Sequence, residues 1–260
     1  MSTEVSPLSR IALAVEPPVA RLTLHNAPLN VIDLPMMEEL GSALADIEVE
    51  PKISTVVLRG DGDCFSAGVD IVAHAPGKVT AMLQKFHAVI RDLVASRKVT
   101  VAAVHGNCLG GGAELAMMCD IVITTADATW GFPEINLGCF PPVAATALSA
   151  LIGQKRAADL MLTGATMLGT EAAEIGLATR AVTVDNMDAA IGKALEHLQK
   201  QSPVALAIAK KAIYAWDSIH FDKGLARAEK IYLEELMKTE DAREGVQAFL
   251  EKRNPRWQGR

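Results

Sequence analysis

Two carboxylates set in otherwise apolar, glycine-bracketed runs constrain this chain more than any other feature. Glu114 stands in Gly110-Gly111-Gly112-Ala113-Glu114-Leu115-Ala116-Met117-Met118, and Glu134 in Trp130-Gly131-Phe132-Pro133-Glu134-Ile135-Asn136-Leu137-Gly138. Removing an ionised carboxylate from water without a partner costs several kcal/mol, comparable with the net stability of a domain. A fold that buries both must therefore bring donors or another titratable group beside them. Taken singly, Glu114 is explained as a helix-start carboxylate held by local amides, and Glu134, after proline, as a turn residue. Together and beside glycines, they suggest an acid/base pair next to a backbone anion site.

The rest of the chain can house such a pair. It has 260 residues, 50% of them hydrophobic, enough for one sizeable core. A net charge of −6 and a pI near 5.6 argue against a broad nucleic-acid footprint, although a local Lys/Arg patch could hold phosphates. Cys64, Cys108, Cys119 and Cys139 have no C-x-x-C spacing, which fits reduced thiols and a cytoplasmic location. Met1 to Arg10 lacks the apolar stretch of a secretory signal. The apolar tract from Val99 to Ala126 is interrupted by His105, Asn107, Glu114 and Asp120, so no membrane span is expected.

Short β-branched runs alternate with amphipathic helices in the first half, which predicts an α/β fold. Strands are expected at Arg10 to Val15, Val19 to His25, Ser54 to Arg59, Val99 to Val104 and Ile121 to Thr125. Asp33 can cap a helix with Met37, Leu40, Leu44 and Ile47 on one stripe, and Val79, Met82, Phe86, Val89 and Leu93 repeat that spacing. After Asp185 the strand signals end. Helices are expected to start at Ser202-Pro203 and at Thr239, which places a soft boundary between residues 1–184, carrying the site, and a helical region 185–260. Met36-Met37 and Met117-Met118 read as core filler, Lys210-Lys211 as a solvated face, and His74 and His87 as surface or packing residues without a catalytic role.

The chemistry concentrates in two glycine turns. Val104-His105-Gly106-Asn107-Cys108-Leu109-Gly110-Gly111-Gly112 leads a strand into a helix start, where bare N–H groups face outward and glycine admits a ligand oxygen. The spacing is neither G-x-G-x-x-G nor a P-loop. A tight strand-to-helix turn packed on the sheet is the plainer alternative. A second turn, Cys64-Phe65-Ser66-Ala67-Gly68-Val69-Asp70, could bring the Val69 amide to that of Gly111, so that two donors grip one developing oxyanion.

The tract Ala102 to Gly138, with Phe65 to Asp70, Leu162-Thr163-Gly164 to Gly176-Leu177 and Gly245 to Arg253, resembles the enoyl-CoA hydratase (crotonase) family over nearly the whole chain. The resemblance implies a spiral of repeated ββα units, a C-terminal helical region that assembles trimers or dimers of trimers, and an acyl-CoA thioester as ligand. It implies Val69 and Gly111 as oxyanion-hole amides and Glu114 and Glu134 as catalytic residues, with Glu114 drawing a proton from water and Glu134 delivering one to the α-carbon. It also implies substrate contacts from Ala67, Asp70, Ile71, Gly110, Phe140, Pro141 and Pro142, and chemistry with neither metal nor redox cofactor. Where common members are glycine-rich after the second glutamate, this chain has Phe140-Pro141-Pro142, a stiff wall, faced by bulk from His74-Ala75-Pro76, Met82-Leu83 and Phe86-His87. These departures are similar to those of hydratases acting on cyclohexa-1,5-diene-1-carbonyl-CoA, a cyclic dienoyl thioester. The alternatives are a short-chain enoyl-CoA hydratase, an enoyl-CoA isomerase that can work with one carboxylate, and a non-catalytic scaffold or RNA-binding relative.

Overall fold

The computed structural model describes residues 6–7, 10–75 and 77–259. Most of the segment read as lacking a signal, and Pro76 of the expected pocket wall, lie outside the described residues. In chain order the strands are β1 (Ser6–Pro7), β2 (Ile11–Glu16), β3 (Val19–Leu24), β4 (Thr55–Gly60), β5 (Val99–Val104), β6 (Asn107–Leu109), β7 (Ile121–Thr125), β8 (Thr129–Gly131), β9 (Thr166–Leu168) and β10 (Arg180–Val182). The helices are α1 (Leu34–Val49), α2 (Val79–Ala95), α3 (Gly111–Met117), α4 (Pro142–Ile152), α5 (Gln154–Thr163), α6 (Gly169–Glu174), α7 (Met187–Gln199), α8 (Pro203–Glu234) and α9 (Glu240–Leu250).

The larger sheet runs β1-β2-β3-β4-β5-β7-β10, antiparallel up to β3 and parallel beyond it. Parallel strands need both faces covered, and the alternation of side chains shows how this is met. Val56, Leu58, Ala102 and Val104 point into the main core with α1 and α2. Val57, Val101, Ala103 and Ile123 point the other way and are covered by Met187, Ile191, Ala194 and Leu195 of α7. The smaller sheet, β6-β8-β9, is extended by a bridge between Ser66 and Cys108. Successive turns thus repeat strand, short strand, helix: β5-β6-α3 is one, and β7-β8 leading to the 3-10 turn Pro133–Leu137 is the next.

Local signals account for most boundaries. The Asp33 side chain accepts from the Met36 amide at 2.9 Å to start α1, Ser202 from Ala205 at 3.4 Å to start α8, and Thr239 from Ala242 at 3.1 Å to start α9. The expected stripes of α1 and α2 are buried.

Lys210 corrects the sequence reading. It is 6% exposed, and its Nζ pairs with Asp120 Oδ2 at 2.8 Å and donates to the Lys98 carbonyl at 2.9 Å, whereas Lys211 is exposed. Asp120 Oδ2 in turn accepts from the amide and hydroxyl of Thr100 at 2.7 and 2.9 Å. This buried network pins α8 to the ends of β5 and β7. A Lys-Lys pair carries no trace of a partner 90 residues upstream.

Candidate active site

The loop after β4 is tied down amide by amide. Phe65 N donates to His105 O at 2.8 Å, Ser66 N to Asn107 O at 3.0 Å, Gly68 N to Ser66 Oγ at 3.1 Å and Asp70 N to Ile32 O at 3.1 Å. Gly110 N donates to Gly131 O at 2.9 Å. The N–H groups of Val69 and Gly111 have no protein acceptor among the described residues. They are neighbours: a Cβ built on Gly111 would lie 3.4 Å from Val69 N, and one on Gly68 would lie 3.5 Å from Gly111 N. The Cβ on Gly111 would also come within 2.5 Å of Val69 Cγ2, so glycine keeps this opening clear. Two free donors in one place suit an oxygen that gains negative charge.

Both glutamates face the same cavity. Glu114, on the first turn of α3, is 3% exposed, and its Oε1 accepts from the Ala144 amide of α4 at 2.9 Å. The donor thus comes from the start of a neighbouring helix and not from its own. Glu134, on the turn Pro133–Leu137, is half-buried as a residue, but its Oε2 is shut off from solvent with no protein partner among the described residues. Its carboxyl occupies the space that a Cβ on Gly110 would take, and Gly110 adopts φ +51°. Burial raises both carboxyls above the usual carboxylate range; the α4 amides of Ala144 and Val143 pull Glu114 back, while the Glu114 charge pushes Glu134 further up. Two raised carboxyls so close together titrate as a pair, and the α4 amides favour the charge on Glu114 over Glu134.

The cavity between them measures about 100 Å³. Of the residues expected at the site, Ala67, Val69, Ile71, Gly110, Gly111, Glu114, Glu134, Phe140, Pro141 and Pro142 line it. Asp70 does not. Its carboxylate accepts from the Val72 amide at 3.0 Å and caps the 3-10 turn Ile71–His74. His74 and His87, read as packing, lie on the wall, and so does Tyr232 of α8, which no sequence feature singled out. Tyr232 stacks edge-on against Phe140 with ring centroids 5.2 Å apart. A larger apolar cavity, about 1200 Å³, lies behind Phe140 between α4, α5 and α8 and contains neither glutamate.

A family profile described as enoyl-CoA hydratase/isomerase matches residues 15–260. This chain belongs to the enoyl-CoA hydratase/isomerase family. Among relatives of this family, a cyclohexa-1,5-dienecarbonyl-CoA hydratase of Thauera aromatica is 34% identical over 260 residues, covering all of both chains. A probable enoyl-CoA hydratase of Bacillus subtilis (strain 168) is 34% identical over 262 residues, covering 97% of this chain and 100% of its own. The fold is likewise that of the family. The crystal structure of an enoyl-CoA hydratase from Mycobacterium avium subsp. paratuberculosis K-10 superposes with a TM-score of 0.87 at 26% identity, over 96% of this chain and 99% of that one. The crotonase-like spiral expected from the sequence is therefore present, with its helical C-terminal region. Among the described residues no helix is long and apolar enough to cross a membrane.

Proposed function

We propose that the chain adds water across the double bond of an enoyl-CoA thioester whose acyl group is a compact ring such as cyclohexa-1,5-diene-1-carbonyl. The observation that carries hydration is the unequal carboxyl pair beside two free amides: Glu114 accepts from the start of α4, and Glu134 Oε2 has no protein partner. In this reading the thioester carbonyl accepts from the N–H groups of Val69 and Gly111. Ionised Glu114 takes a proton from water as its oxygen bonds to the β-carbon. The electron pair of the double bond moves onto the carbonyl oxygen, and Glu134 then gives its proton to the α-carbon. One H and one OH are added, and the proton now on Glu114 must return to Glu134 before the next turnover. Every proton is accounted for by water and two carboxyls, so we propose no metal or redox cofactor, and activity should persist after chelator treatment.

The cavity, about 100 Å³, argues against a long acyl chain, and the stiff wall of Phe140, Pro141 and Pro142 supports a compact acyl group. An apolar cavity of ~150 Å³ takes a benzene ring, so this space suits a small ring or short chain better than a long one. The cyclic substrate is supported by the full-length likeness to the Thauera aromatica hydratase. A second reading is short-chain enoyl-CoA hydration, which the small cavity also suits; the equal identity to the Bacillus subtilis relative, a probable enoyl-CoA hydratase, does not choose between the two. The two separate by kcat/KM: the cyclic dienoyl-CoA should exceed crotonyl-CoA by about tenfold or more, and the reverse order selects the second reading. No hydration of either, with retardation of RNA on a gel, would favour the non-catalytic alternative.

We further propose a trimer or a dimer of trimers. Val204 and Ile208, one turn apart on α8, are 68% and 63% exposed, apolar surface that a partner copy would cover.

A further inference from the structure

The cavity holds more polar chemistry than hydration uses. Besides Glu134 Oε2, four buried side-chain polar atoms have no protein partner among the described residues, and two of them, His87 Nε2 and the Tyr232 hydroxyl, belong to residues that line the same cavity. Buried polar atoms are satisfied in the great majority of cases, so orphaned ones on residues that line a cavity ask for an occupant.

His87 is held in one tautomer. Its ring is fully buried, and Nδ1 lies 2.6 Å from Glu229 Oε1, which also accepts from Arg91 Nη2 at 3.0 Å. A carboxylate only accepts, so the proton sits on Nδ1 and Nε2 presents a bare lone pair. Burial pushes the imidazole down, which keeps it neutral. Glu229 and Tyr232 are three residues apart on α8 and share a face of that helix, so the element that fixes the imidazole also delivers the phenol. Tyr232 is 1% exposed. The Cys139 thiol lies beside its hydroxyl but makes no hydrogen bond of ordinary geometry, and a thiol is in any case a weak partner.

We propose that His87 Nε2 and the Tyr232 hydroxyl form a specificity subsite for a hydroxyl group on the acyl ring, accepting its proton and donating to its oxygen. A hydroxyl both donates and accepts, as the two atoms together require. The subsite rests on the acyl-CoA reading above. It is separate from the carboxyl pair: α2 and α8 supply it, whereas Glu114 comes from α3 and Glu134 from the turn Pro133–Leu137.

Calorimetry with unreactive saturated thioesters tests it. Cyclohexanecarbonyl-CoA is compared with its 3-hydroxy and 4-hydroxy forms, whose hydroxyls lie beyond the β-carbon. At least one hydroxylated form should bind about tenfold tighter or better, the scale of two modest buried hydrogen bonds. Tyr232→Phe, which removes one oxygen and keeps the ring against Phe140, should cut that ratio by at least threefold. His87→Leu should do the same, while His87→Gln, whose amide oxygen can accept near the Nε2 position, should retain more of it. Equal affinity for all three ligands, or a preference untouched by Tyr232→Phe, overturns the subsite and leaves hydration standing. Failure of every CoA thioester to bind overturns both.

Discussion

At the scale of single residues, the site works by withholding partners. The Val69 and Gly111 amides and the Glu134 Oε2 are free in a chain whose neighbouring backbone groups are tied. Glu114→Gln and Glu134→Gln should each lower kcat by roughly 10²–10⁴, the usual contribution of a positioned proton donor or acceptor, with thioester affinity changed only a few-fold. Steady-state kinetics alongside calorimetry checks this, and full activity in either variant would exclude the mechanism. Proton linkage gives a second expectation. Both glutamates titrate higher in the folded chain than their ordinary 4.5, so the folded state holds protons that the unfolded state releases. Their contribution therefore makes stability fall as pH rises from that value through the raised ones. The parent should lose stability from about pH 5 to pH 8, and the double amide variant, which has no proton to release at these positions, should lack that loss, read from urea melts at each pH.

At the scale of elements, what could be read in advance was what is local in sequence. The β5-β6-α3 turn announces itself because a β-branched run, three glycines and a helix start are contiguous, and the same stretch carries Gly111 and Glu114. Partnerships between distant elements left no trace. Glu229 meets His87 across 142 residues, and Tyr232 reaches the cavity from a helix whose composition looked generic. Asp70 sits between two residues that line the cavity, while its own side chain turns back to cap Ile71–His74, a local bond that the sequence pattern did not reveal. Lys210 misled because a charge pair usually marks a wet face. Its burial yields a test: Lys210→Ala strands Asp120 and should cost about 3–5 kcal/mol in chemical denaturation, whereas Lys211→Ala should be near neutral. Equal small losses would deny the network its anchoring role.

At the scale of the whole molecule, α8 joins the sheet through Lys210 and the cavity through Tyr232, and leaves Val204 and Ile208 exposed. Light scattering should give three or six times the chain mass of 27.6 kDa, and Val204→Asp with Ile208→Asp should shift the population towards monomer. A monomeric parent would leave those side chains unexplained. The groups we propose to react, Val69, Gly111, Glu114 and Glu134, all lie within residues 69–134, and another part of the cavity wall, Tyr232, arrives on a helix almost a hundred residues later. Changes in that later helix can retune which molecules are admitted while the bond-making apparatus stays as it is, so new diets are open to this scaffold without reinvention of its reaction.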